Sequence, residues 1–130
     1  MPTVVKDFLT VIPRPQPVPA PVRILRQQGE LLFQKTRKAL YGEVLEAAVP
    51  SVSDLRYSFY LCIANKPTRH KLLTITCDIA SDYPVTCENH LDGTTTRADS
   101  ESDFEDYFRS VFESPATQDV LGRLLTYAAH

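Results

Sequence analysis

Two cysteines and a histidine near the middle of the chain offer the most chemistry. Cys77, Cys87 and His90 supply thiol and imidazole groups, the ligand types that zinc prefers. A structural zinc site needs four ligands, and none of the candidates for the fourth stands at a recognised spacing: His70, Asp78, Asp82 and Asp92. The pair Cys87 and His90 could instead form a nucleophile and its base, but no neighbouring residue in the sequence lowers the thiol pKa. We therefore expect no metal and no cofactor.

Other catalytic patterns are also missing from the sequence. Asp78 and Asp82 could share acid and base roles, although aspartates before a Tyr-Pro step are typical of a turn. The four glycines are never close together, which argues against a phosphate-binding loop. We assign no catalytic residue and predict no small-molecule substrate. The alternative is a small enzyme or metal-binding protein that uses Cys87, His90 and nearby carboxylates.

Length and composition indicate one folded domain. The chain has 130 residues, of which 43% are hydrophobic and 23% charged, close to the average of globular proteins. No apolar run approaches the roughly 20 residues that a membrane helix needs, so we expect no membrane association. The odd number of cysteines and the lack of a secretory leader favour reduced thiols and a cytoplasmic location.

Charge is distributed unevenly along the chain. Residues 1–40 contain seven basic and two acidic residues, whereas residues 41–130 contain seven basic and fourteen acidic residues. The basic residues are scattered and no nucleic-acid motif accompanies them, which argues against a nucleic-acid partner. We expect the basic first helix to lie beside acidic helices of the same domain.

The first 22 residues form a proline-rich arm in our interpretation. Prolines alternate with other residues from Pro13 to Pro21, and this pattern favours an extended chain outside a domain of residues 23–130. The spacing excludes a PxxP ligand, but the preceding residues are unusually apolar for a free tail. The arm is either a partner-binding peptide, or a spacer or clamp onto its own domain or a neighbouring subunit. We expect a non-enzymatic module, an adaptor, a regulator or an oligomer subunit, that contacts a protein partner or a second copy through this arm and an exposed sheet face or edge. The predicted partner-binding residues are Phe8, Leu9, Val11, Ile12, Pro15, Pro17, Pro19 and Tyr83.

Hydrophobic periodicity predicts an α+β fold. A helix starts at Ile24 and ends near Lys38 to Leu40, and it is followed by a three- to four-stranded antiparallel meander. The clearest strands cover 57–64 and 72–79, a short one covers 85–88, and residues 41–49 fit either a strand or an extension of the helix. Residues 89–100 read as a polar loop or a loose hairpin.

Two C-terminal helices complete the predicted layout. One is introduced by Ser102 with Glu105 at capping-box spacing, and the next begins at Ser114-Pro115. We expect both helices to pack on one face of the sheet, with Thr74, Thr76 and Asp78 facing water on the other.

The run from Lys71 to Val85 (KLLTITCDIASDYPV) resembles the strand, loop and Tyr-Pro step of RWD and ubiquitin-conjugating-enzyme-like domains. The layout extends the resemblance over residues 24–125, whereas the shared motif is Tyr83-Pro84 alone. The chain lacks the HPN tripeptide, the second proline and the later cysteine of conjugating enzymes. The segment Ser114–Leu125 is also similar to small uncharacterised bacterial α+β proteins. Either resemblance implies a binding scaffold without transfer chemistry.

Overall fold

The computed structural model describes residues 6, 8–9, 11–49 and 51–130. Residues 1–5, 7 and 10 of the predicted arm lie outside this part of the chain. The helices are α1 (Ala20–Lys35), α2 (Glu101–Glu113) and α3 (Pro115–Ala128). The strands are β1 (Leu40–Glu46), β2 (Asp54–Ile63), β3 (Arg69–Asp78), β4 (Val85–Asn89) and β5 (Thr95–Ala98).

The fold is α+β, with a single antiparallel sheet in the order β1-β2-β3-β4-β5. The sheet has five strands, so the prediction of three to four strands is wrong in number. The additional strand, β5, lies within residues 89–100, where the hairpin alternative is the one that forms: β5 pairs with β4 across a short turn. Gly93 has a φ of 76°, and Asp92 Oδ1 accepts from the backbone N–H of Thr94 at 2.9 Å, so a glycine and an Asx turn close this hairpin.

Helix α1 starts earlier and ends earlier than predicted. It includes residues 20–22 of the predicted arm, because a proline at position 21 is compatible with the first helical turn. At the other end, Arg37 and Lys38 have positive φ angles of 54° and 68° and turn the chain into β1. The Thr36 hydroxyl accepts from the backbone N–H of Leu40 at 3.0 Å and so ties the end of the helix to the start of the strand.

Serine caps introduce both C-terminal helices. The cap of α2 is Ser100, whose hydroxyl accepts from the backbone N–H of Asp103 at 3.1 Å, so the predicted start at Ser102 is two residues late. The predicted start of α3 is confirmed, since the Ser114 hydroxyl accepts from the backbone N–H of Thr117 at 3.3 Å.

All three helices contribute to a core on one face of the sheet. Strand alternation places Phe59, Leu73 and Ile75 on this face, where they join Phe104 and Leu121 of the helices. Helix α1 crosses β1 very closely where Gly29 meets Gly42, and a Cβ atom on Gly29 would lie only 2.4 Å from the Gly42 carbonyl oxygen. The helices therefore leave the opposite face of the sheet uncovered.

Candidate functional site

The sheet separates the thiols from the imidazole of the alternative site at Cys77, Cys87 and His90. Cys87 pairs with Ile75 in the register and lies fully buried on the core face. His90 lies beyond the end of β4, and its Nε2 is 2.6 Å from the hydroxyl of Thr74, on the opposite face. Within the described residues, no three His, Cys, Asp or Glu side chains gather as metal ligands would. Cys77, Cys87 and His90 are thus not brought together.

Burial also keeps the thiols protonated. It raises the pKa of Cys87 to about 12, and it raises the pKa of Cys77 as well, aided by the negative charges of Asp82, Asp54 and Asp78. The Cys62 pKa rises to about 11 for the same main reason, with the Glu43 carboxylate adding to the effect. A thiolate nucleophile at neutral pH is not favoured by these environments.

We predict that none of the three thiols reacts rapidly in the native protein. At pH 8 a soluble disulfide reagent should label Cys62, Cys77 and Cys87 only at the rate of unfolding, because all three are buried with raised pKa values. In denaturant all three should label at once. Fast native labelling of Cys87 alone would contradict this and would revive the nucleophile hypothesis.

A hydrogen-bonded chain of side chains crosses the uncovered face of the sheet. The hydroxyls of Ser58 and Thr74 lie 2.8 Å apart, and Thr74 also contacts His90. Both hydroxyl residues are almost fully buried, at 1% and 5% exposure, although no helix lies above them. The prediction that Thr74 faces water is therefore wrong in its degree of exposure, since Thr74 lies between Ser58 of β2 and Glu88 of β4 and its hydroxyl contacts both Ser58 and His90. Neither of these two hydroxyls is therefore accessible as a nucleophile.

We predict that Thr74→Val costs about 2 kcal/mol of unfolding free energy, because it leaves the buried Ser58 hydroxyl without its partner. The double variant Ser58→Ala/Thr74→Val should be more stable than Thr74→Val, since both polar partners are then gone. Urea denaturation of the singles and the double measures this coupling. Thr86→Val, at an exposed position on the same face, is the control and should change stability by less than about 0.5 kcal/mol. If the losses of unfolding free energy in the two single variants added up to the loss in the double variant, the hydrogen bond between Ser58 and Thr74 would be contradicted.

Tyr83 is half-buried and, unlike the other predicted partner-binding residues, lies within the folded domain. Its ring packs against the core, its hydroxyl is buried, and no described residue forms a hydrogen bond with that hydroxyl. Burial raises the Tyr83 pKa to about 12, with the carboxylates of Glu101 and Asp82 adding to the shift. The peptide bond to Pro84 is cis. Only part of the Tyr83 ring is available to a partner.

The arm presents its apolar side chains to solvent. Phe8, Leu9, Val11 and Ile12 are between 71 and 84% exposed, and Pro15 and Pro17 are exposed as well. Pro19 is half-buried, and Val18 packs against the core, so the arm leaves the domain at this point. The predicted partner-binding residues of the arm therefore form an exposed apolar segment that continues into an extended proline run.

Sequence reasoning missed an apolar groove between α1 and the pair α2 and α3. Its volume is about 780 Å³, within the range of ligand pockets in proteins. Leu31 on α1 and Leu125 on α3 are 41% and 42% exposed on its walls, while Phe108 and Leu121 form part of its floor. Leu31 and Leu125, at the margins of the apolar stripes of two helices, were the available sequence signal for this groove. Only the packing of the helices brings these two leucines together.

The chain matches no protein-family model, and no curated protein or solved structure is significantly similar to it. No helix in the described part of the chain is both long and apolar enough to cross a membrane. The described residues leave the arm, the groove and the uncovered sheet face open to a partner. Of these three surfaces, the arm and the groove are the apolar ones.

Proposed function

We propose that this protein is a non-enzymatic interaction module that binds another protein chain through its arm. The observation that carries the proposal is the exposure of Phe8, Val11 and Ile12, side chains that rank among the most often buried types. Contiguous exposed apolar residues mark binding sites in folded proteins. The extended proline run that follows costs little entropy to order, so it suits a segment that binds a partner.

The edges of the sheet are less suitable for a partner than the arm. Edge strand β1 has lost part of its free backbone: the Thr36 hydroxyl accepts from the backbone N–H of Leu40, and Gly29 lies against the carbonyl of Gly42. The other edge, β5, has four residues and carries Arg97, which pairs with Asp99. Short and charged edges discourage strand addition. The uncovered sheet face remains a second candidate surface.

The proposal includes the cellular setting and the scaffold role. Three free cysteines fit a reducing compartment such as the cytoplasm. A five-stranded meander with two C-terminal helices accords with the binding scaffold that the resemblance to RWD domains implies. An adaptor, a regulator and an oligomer subunit all satisfy these features.

An affinity comparison tests the proposed function. The tagged full chain is used to capture proteins from its natural host, in parallel with the arm variant Phe8→Ser/Val11→Ser/Ile12→Ser. The matched control is Ile79→Ser, because Ile79 is also apolar and 66% exposed but lies far along the chain from the arm. We expect the arm variant to lose at least about 90% of a specific captured protein, and Ile79→Ser to lose none. Equal capture by all three chains would overturn the proposal.

A further inference from the structure

We propose that the arm of one copy binds in the helical groove of a second copy, so that two chains exchange arms. This inference rests on the proposed function and names its partner. The exposed apolar segment around Phe8, Val11 and Ile12 supplies the ligand, and the groove between α1, α2 and α3 supplies the site. Burial of the two apolar surfaces against each other supplies the driving force.

The groove has the chemistry of a site for an apolar chain. Its floor contains Leu32 and Leu121, and its walls carry Leu31 and Leu125. Gly122 also lines the groove, and a Cβ atom added there would find nothing within 4 Å. Apolar side chains of the size of Phe8 and Ile12 can enter this space, where the leucines on both sides would be removed from water with them.

Charge at the groove is mixed. Glu105 and Glu113 of α2 line it together with two cations, Lys35 of α1 and Arg109 of α2. The arm is mixed as well, with Lys6, Asp7 and Arg14 beside its apolar residues. Burial of the apolar side chains, rather than net charge, therefore drives the contact.

The geometry of the arm favours a second copy over its own groove. The arm leaves the domain at Pro19, and the run from Pro13 to Pro19 in a polyproline conformation holds Ile12 about 20 Å from that point. Reaching its own groove would require this stiff segment to reverse direction and run back along α1. In the structure Phe8, Val11 and Ile12 are instead exposed. Exchange about a two-fold axis gives each copy one bound arm and one occupied groove.

Mass in solution tests the exchange, at a concentration of about 100 µM that allows a weak interface to form. We expect the full chain and Ile79→Ser to sediment at twice the chain mass of 14.6 kDa. The arm variant Phe8→Ser/Val11→Ser/Ile12→Ser and the groove variant Leu31→Gln/Leu125→Gln should each sediment as monomers. A second groove variant, Gly122→Trp, fills the open space above Gly122 without removing a core residue and should also be monomeric. Thermal unfolding verifies that each variant is folded.

A mixture of the arm variant and the groove variant distinguishes arm exchange from other ways in which two copies could associate. An arm variant keeps its groove and a groove variant keeps its arm, so their mixture should regain dimers through one arm-groove contact. A mixture that stays monomeric, or dimers that persist in both variants, would overturn the exchange. If the full chain is monomeric while the arm still captures a different protein, this inference fails and the proposed function survives. If arm substitution changes neither mass nor capture, both fail.

Discussion

Gly29→Ala is expected to destabilise the protein by about 3 kcal/mol, although alanine is the better helix former by about 1 kcal/mol. The cause is the close crossing of α1 over β1. The added Cβ would lie 2.4 Å from the carbonyl oxygen of Gly42 and 2.9 Å from its carbonyl carbon and Cα. All three atoms belong to the backbone of a paired strand, so the clash can be relieved only by moving the helix away from the sheet.

Gly122→Ala is the matched control, since Gly122 also lies inside a helix but has open space around its Cβ position. This substitution should stabilise the protein by about 0.5–1 kcal/mol. Urea denaturation of both variants gives the two free energies of unfolding. If both substitutions changed the free energy of unfolding in the same direction, the close packing of α1 on β1 would be contradicted. The position of the groove wall that α1 forms would then be contradicted too.

Phe59→Ala is expected to cost 3–5 kcal/mol, the range for the removal of a fully buried phenylalanine. Phe59 has no exposed surface, and its ring stands edge-on to Phe108 with ring centroids 5.7 Å apart. The ring also fills the space next to Gly42, where a Cβ atom would lie 2.4 Å from it. Its loss would leave a cavity between β1 and α2 that the surrounding backbone cannot close.

Phe33→Ala provides the comparison for Phe59→Ala. Phe33 is half-buried on α1 and lies outside the core cluster, so its removal should cost about 1 kcal/mol. Thermal unfolding followed by circular dichroism measures both losses, and the loss for Phe59→Ala should be at least twice as large. Similar losses at the two positions would contradict the placement of the core on the helical face of the sheet.

The sequence predicts most of the fold because its elements have strong local signals. The alternation of apolar and polar residues identifies the strands around Phe59 and Ile75, and Ser114-Pro115 marks the start of α3. The Asp92-Gly93 step carries a hairpin signal too, but the strand after it has four polar or small residues, and its pairing depends on β4. Strands stabilised mainly by a neighbour have weak patterns of their own.

Tertiary contacts explain what sequence reasoning did not find. Gly29 reads as a weak point in a helix, yet its lack of a side chain is what allows α1 to approach Gly42. Thr74 was assigned to the correct face, but its burial depends on neighbours from other strands. The groove likewise depends on the relative positions of three helices. By contrast, composition and proline spacing alone predict an extended segment before α1.

The most direct test of arm exchange is cross-linking between isotopically distinct copies. A photoreactive amino acid replaces Phe8 in the full chain, and equal amounts of heavy and light protein are mixed, irradiated and digested. We expect residue 8 to link to peptides that contain Leu31 or Leu125, with heavy-to-light links at the frequency of random pairing. Links confined to single chains, or links that map to the uncovered sheet face around Thr74, would contradict the account.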